Sequence, residues 1–272
     1  MGRRSGGWIL RSLFLCFWAT APVFALAPDP ASAQSAEQLA HAKATPDDKS
    51  AADEAFRRFV ALRARVRAGG GVPPAFAGVE HWLALAARAT DPRVAELFRR
   101  VFEDQFIRLA GQGGGEATFA QGLSKPARTL LDWRLGAEMV AVDAANTDWL
   151  RRQLGDIEWF GIRRFGAEAD NGAWFLVQHA DADPDFQERV LGRLESLVAT
   201  GDTSRRHYAY LFDRVALARG RPQRYGTQMT CAGPGVWKSR PVEAPETLDA
   251  RRAEVGLPPE ADYAKMGSRF CQ

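Results

Sequence analysis

A mainly helical protein with one small β element near its C-terminus is the fold that three features of the sequence predict. Apolar residues recur at three- and four-residue spacing through most of the chain, Asp-Pro pairs and glycines punctuate those runs as caps and stops, and the spacing changes to alternation once, just after residue 222. The chain has 272 residues, 46% of them hydrophobic, with 36 Lys plus Arg against 33 Asp plus Glu. This length can bury a full core without covalent staples, which excludes a disordered acidic chain, a collagen and a small disulfide scaffold. A formal charge of +3 without clustered basic residues gives no footprint for nucleic acid.

The first 33 residues read as a secretory signal. Arg3, Arg4 and Arg11 precede an apolar run, and Ala31-Ser32-Ala33 is a small-x-small cleavage site; Ala25-Leu26-Ala27 is the poorer one because Pro28 would follow the cut. An uncleaved amphipathic anchor is the alternative. Arg3-Arg4 is a weak twin-arginine signal, since Gly6 and Gly7 follow Ser5, and Phe14-Leu15 are too large to precede a lipid-modified Cys16. No later run approaches the length of a membrane span. The mature chain is therefore expected to be periplasmic or secreted and close to neutral. Cys231 and Cys271 then remain as an even pair in an oxidising compartment, most simply a disulfide; a nucleophilic Cys231 beside Gly233-Pro234-Gly235 is the rival reading.

Residues 34–50 are small, polar and aperiodic, as in a flexible tether. N-terminal helices follow over 51–110. In the first, Phe56, Phe59, Leu62 and Val66 repeat with Val60 beside them until Gly69-Gly70-Gly71. Asp91-Pro92 starts another with the stripe Val94, Leu97, Phe98, Val101 and Phe102. A Gly-rich linker at 111–115 opens the remaining region, 111–272, which is either a separate domain or continuous with everything from residue 51. There Leu130, Leu131, Trp133, Met139 and Val142 recur, with Leu150 and Leu154 beyond. Residues 171–182 form a short apolar helix. Asp183-Pro184 restarts the chain, Phe186, Val190, Leu194, Leu197 and Val198 face inward, and Gly201 closes that helix. A third spans 204–219, with Tyr208, Leu211, Phe212 and Val215 on one side and Gly220 and Pro222 at its end. Over 223–228, Gln223, Tyr225 and Thr227 alternate with Arg224, Gly226 and Gln228, as in a short strand.

Chemistry-bearing residues are few. His41 falls in the tether, His81 beside Trp82, and His207 in an expected exposed first turn. His179 ends an apolar helix in Gln178-His179-Ala180-Asp181, where a neighbouring carboxylate would fix one tautomer and suit a general acid or base; the structural alternative is a histidine that closes a corner. His179, Asp181 and Asp183 lack a second spaced histidine or a CxxC, so no metal is expected, and no nucleophile elbow or phosphate loop implies a cofactor. Asp104 and Arg108 have the spacing of an ordinary surface pair. The polar run Gln223 to Gln228 fits either a ligand-contacting strand or a plain edge strand.

Several phrases together resemble an uncharacterised bacterial domain family of unknown function: Gln178-His179-Ala180-Asp181, Phe186-Gln187, Tyr210-Leu211-Phe212-Asp213-Arg214-Val215, Gly220-Arg221-Pro222-Gln223 and Tyr225-Gly226-Thr227-Gln228. The resemblance extends to Trp159-Phe160-Gly161, Asp104-Gln105 with Arg108, Asp143 with Asn146, Arg251-Arg252, Gly256-Leu257 and Tyr263. It departs at Glu158-Trp159-Phe160, where members carry a Gly-Trp-Pro turn. The resemblance implies a shared fold and clustered polar residues rather than a named reaction. On it rests the expectation of a polar cleft in which His179 is the acid or base, Asp213 or Asp104 orients it, and Asp104, Gln187, Arg214, Gln223, Tyr225 and Gln228 hold a polar or anionic small molecule or envelope component. The expected reaction is hydrolysis or group transfer on a cell-envelope metabolite. The alternatives are a non-catalytic module that binds a protein or glycan, and an adaptor built on its N-terminal helices whose polar motifs are buried staples.

Overall fold

The computed structural model describes residues 38–268 and Cys271; the expected signal segment lies outside them. These residues divide into two compact units, 38–204 and the described part of 205–272.

The first unit is wholly helical. Helix α1, Pro46–Arg67, begins inside the stretch read as a tether, because Thr45 and Asp48 form a reciprocal capping box and Asp48 also accepts from the Ser124 hydroxyl. Phe59, Leu62 and Val66 are buried on it as expected, while Val60 is exposed. After α2, Glu80–Arg88, the Asp91 carboxylate caps α3, Pro92–Leu109, by accepting from Arg93 N–H at 2.8 Å. All five residues of the α3 stripe are buried. The Gly-rich linker is a helical kink, with Gly113 at φ 99°. The Leu130 region and its continuation form one 32-residue helix, α4, Lys125–Asp156, started by a Ser124 cap.

Helix α5, Ala167–Gln178, begins and ends four residues earlier than the apolar pattern suggested, because Gly166 breaks the backbone at φ 87° and His179 is already its C-cap. Gly172 lets α5 approach α3 closely: a Cβ there would lie 3.2 Å from Val101. Asp183 caps α6, Pro184–Thr200, through Phe186 N–H at 2.9 Å, and Gly201 closes it in the left-handed region.

The second unit holds α7, Arg205–Ala218; a hairpin of β1, Met229–Gly233, and β2, Val236–Ser239; α8, Leu248–Glu254; and α9, Glu260–Gly267. The strands are antiparallel, with Thr230 opposite Lys238 and Cys231 opposite Trp237. Cys231 and Cys271 are joined in a disulfide with Cα atoms 5.4 Å apart. The strand expected at 223–228 is instead an irregular loop with a single bridge from Gln223 to Val242. Its alternation misleads because its amides bond to a side chain rather than to a neighbouring strand.

Candidate functional site

In the first unit, three helices deliver ionisable side chains to one buried cluster. Helix α3 supplies Asp104, Gln105 and Arg108, all buried, so the pair expected at the surface lies in the interior. The periodicity contained that signal: Leu97, Val101, Asp104 and Arg108 follow one another at four, three and four residues, so the polar pair continues the apolar stripe. Helix α4 adds Met139 and Asp143 one turn apart. The C-cap of α5 adds His179, which is 5% exposed. Gln187 of α6 fixes that corner by donating its amide to the Val177 and Gln178 carbonyls at 3.0 and 3.3 Å and to Asp181 at 3.2 Å. Both carbonyls lie in the last turn of a helix, where Val177 O also accepts from Ala180 N–H at 3.2 Å, so Gln187 acts as a side-chain cap here.

Asp104 Oδ1 lies 2.7 Å from His179 Nδ1, and Asp104 Oδ2 accepts from the Gln105 amide at 2.7 Å. Arg108 Nε is 3.0 Å from His179 Nδ1 and 3.3 Å from Asp104 Oδ1; Arg108 Nη2 donates to Asp143 Oδ1 at 2.6 Å, and Nη1 faces Met139 Sδ at 3.2 Å. Burial alone would raise the Asp104 pKa, but Arg108 and His179 outweigh it and hold the carboxyl at about 2. Asp104 is therefore an ionised acceptor, which assigns a proton to His179 Nδ1 and turns Arg108 Nε toward the carboxylate. Asp143 goes the other way. Burial, reinforced by the Asp104 charge, exceeds the help from Arg108 and raises its pKa to about 7. Burial disfavours the Arg108 charge, yet Asp104 and Asp143 reverse that and raise its pKa.

Asp104, Asp143 and His179 each offer an atom within 4.8 Å of the others, the spacing of a metal triad. The Arg108 guanidinium already bonds both carboxylates, so a divalent ion would have to displace it. The donor set suits internal cation pairing better than a metal.

The second unit has its own polar constellation. Asp213 on α7 is fully buried and accepts from the backbone N–H groups of Arg224, Tyr225 and Thr227 at 2.8, 3.0 and 2.8 Å and from the Thr227 hydroxyl at 2.9 Å. Burial raises its pKa against the pull of those bonds. The Gln223 side chain donates to the carbonyls of Gln228 and Arg240 at 2.9 and 3.1 Å and accepts from Gln228 N–H at 2.7 Å. Gln228 donates its amide to Thr227 Oγ1 at 3.2 Å. Arg252, fully buried, donates to the Tyr225 and Gly226 carbonyls at 2.6 and 3.2 Å, and its guanidinium lies 5.0 Å from the Tyr263 ring centroid. Arg214 and Tyr225 are also buried in this unit.

Of the residues singled out from sequence, the structure joins Asp104 to His179 and seats Gln187 at the same corner. Asp213 is bonded to Tyr225 in the other unit, where Gln223 is bonded to Gln228. Arg108, Asp143 and Met139 are members of the His179 cluster whose part the motifs did not assign. His207 is buried rather than exposed.

Residues 118–269 match the model of a family of unknown function, DUF6624, and the chain belongs to that family. The match contains Asp143, His179 and Asp213 and begins after Asp104 and Arg108. No curated protein and no solved structure matches the chain.

Proposed function

We propose that the Asp104, Arg108, Asp143 and His179 cluster is an acid–base centre that hydrolyses, or transfers a group on, a polar metabolite of the cell envelope. One observation carries the reading: two carboxylates bonded to the same arginine have pKa values driven in opposite directions, and the one kept ionised contacts the imidazole. Such a separation marks one group as a fixed charge and the other as a proton carrier near neutral pH. Asp104 holds the Nδ1–H tautomer of His179, leaving Nε2 as the atom to accept a proton. Asp143, the cluster member with a partly exposed side chain, is the acid that returns one. Arg108 fixes both carboxylates. The signal-like first 33 residues and the disulfide support an extracytoplasmic setting.

Purified protein incubated with the low-molecular-weight fraction of an envelope extract, and followed by mass spectrometry, tests this. Product formation by the wild type that is lost in His179→Ala and reduced in Asp143→Asn is expected. Identical product profiles for all three would remove the cluster from any chemical role.

A second reading, a non-catalytic module for a protein or glycan, is favoured by the hairpin: Thr230, Cys231, Ala232 and Val236 are exposed on short, disulfide-tied strands. Saturable binding to an envelope fraction that survives His179→Ala but is lost when the turn at Gly233-Pro234-Gly235 is replaced would support it.

A further inference from the structure

A concave site of about 380 Å³ lies in the first unit, where the end of α2 turns into α3 and the segment around Arg164 leads into α5. Its walls divide by chemistry. Among the residues that line it, Leu85, Val94, Phe98 and Phe165 are apolar, Arg88 and Arg164 are cationic, and Glu168 and Asp91 are acidic. Neither guanidinium makes a hydrogen bond or ion pair among the described residues; Arg164 lies over the Phe165 ring, 4.7 Å from its centroid. Asp91, also on the wall, gives Oδ1 to the Arg93 N–H and keeps its negative charge beside the hollow. Arg57 and Arg58, by contrast, are taken by Glu54 on their own helix, so the two arginines beside the hollow keep donors that a bound anion can use.

We infer that this hollow binds a small zwitterion with an apolar side group, the chemistry of a free apolar amino acid. Its carboxylate pairs with Arg88 and Arg164, its ammonium group with Glu168, and its side group covers Phe98 and Leu85. Two cations beside two carboxylates match a single acid–amine pair better than a dianion, which Glu168 and Asp91 would repel, or an amine alone, which the arginines would repel. The volume falls within the range of small-molecule sites. A partly open site of this kind gives affinity on the order of 1 mM, with discrimination set by the charges rather than by area.

Three probes with the same ring isolate the charges: L-phenylalanine, 3-phenylpropionate without the amine, and phenethylamine without the carboxylate. Ligand-observed NMR at pH 7 on the full mature chain should show saturable binding of L-phenylalanine, with affinity at least about fivefold above either analogue. The double variant Arg88→Ser/Arg164→Ser should abolish that preference, and Glu168→Gln should bring L-phenylalanine and 3-phenylpropionate together. All three positions are exposed, so circular dichroism should show an unchanged fold. His179→Ala should leave binding intact, which separates this hollow from the acid–base cluster. Equal affinities for the three probes, no saturable binding up to about 20 mM, or binding unchanged in the double variant would each overturn the inference.

Discussion

Both units bury an aspartate that the sequence brings forward, and the two carboxylates are treated differently. Around Asp213 the hydrogen-bond partners are backbone N–H groups and a hydroxyl from a single loop, so its negative charge fixes chain geometry and faces no titratable partner in those bonds. Asp104 is held by an arginine and an imidazole from separate helices, with a second carboxylate on the same arginine. A carboxylate surrounded by fixed dipoles stabilises a loop; one surrounded by ionisable groups couples its charge to their protons. The contrast assigns stability to the first and chemistry to the second, and each assignment can be broken by substitution.

The largest stability loss is expected at Asp213. Replacement by Ala leaves three backbone donors and one hydroxyl to find new partners inside the unit, a cost of about 4–6 kcal/mol in urea unfolding. Asp213→Asn should recover only part of it, because the amide presents donors where the loop needs acceptors. A loss under about 1 kcal/mol would mean that the loop does not depend on this hub.

Arg108→Met should cost slightly less, about 3–5 kcal/mol, since it strands two buried carboxylates without their cation. The double variant Arg108→Met/Asp104→Leu should be more stable than Arg108→Met alone, because it also removes one stranded charge. Additive losses would show that the three groups do not act as a unit.

Opening the Cys231–Cys271 bond, which spans 40 residues, should lower stability by about 2–4 kcal/mol. Cys231→Ser/Cys271→Ser measures it by denaturant unfolding, and non-reducing mass spectrometry of the native protein reads the bond directly. Two free thiols in protein isolated without reductant would contradict the pairing.

How far the sequence foretold this contrast follows from the physics of each part. Caps and stops were readable because their chemistry is local: Asp91, Asp183 and Gly201 do what their neighbours imply. The α3 stripe and the disulfide were readable too, the first from spacing and the second from parity. The loop at 223–228 was not, because its amides are taken by Asp213, ten residues or more away in sequence, and alternation alone cannot reveal a competing acceptor. Asp104 and Arg108 were misplaced at the surface because a four-residue charge pair is usually solvated; their phase with Leu97 and Val101 was the stronger signal. Asp143 was hardest to read, as it lies on the half-exposed side of a long helix whose apolar pattern is weak between Leu135 and Trp149.

Asp143 gives the smallest stability effect and the sharpest test of the proton-carrier role. Its pKa rises from an ordinary 3.8 to about 7 in the folded chain. Between those values the folded state binds a proton that the unfolded state has released. Its contribution to stability is therefore complete below about pH 4 and is lost as pH rises through about 7. Wild-type protein should lose about 2 kcal/mol between pH 5 and pH 7 through this group, and Asp143→Asn should flatten that part of the profile. Carbon-13 NMR of the Asp143 carboxyl should give a midpoint near 7, and Asp181→Asn should lower it by a fraction of a unit, because the Asp181 charge contributes to the rise. Asp104 should show no titration until well below pH 4. A midpoint for Asp143 in the ordinary carboxylate range would make its charge as fixed as that of Asp104, and the difference between the two on which the acid–base assignment rests would vanish.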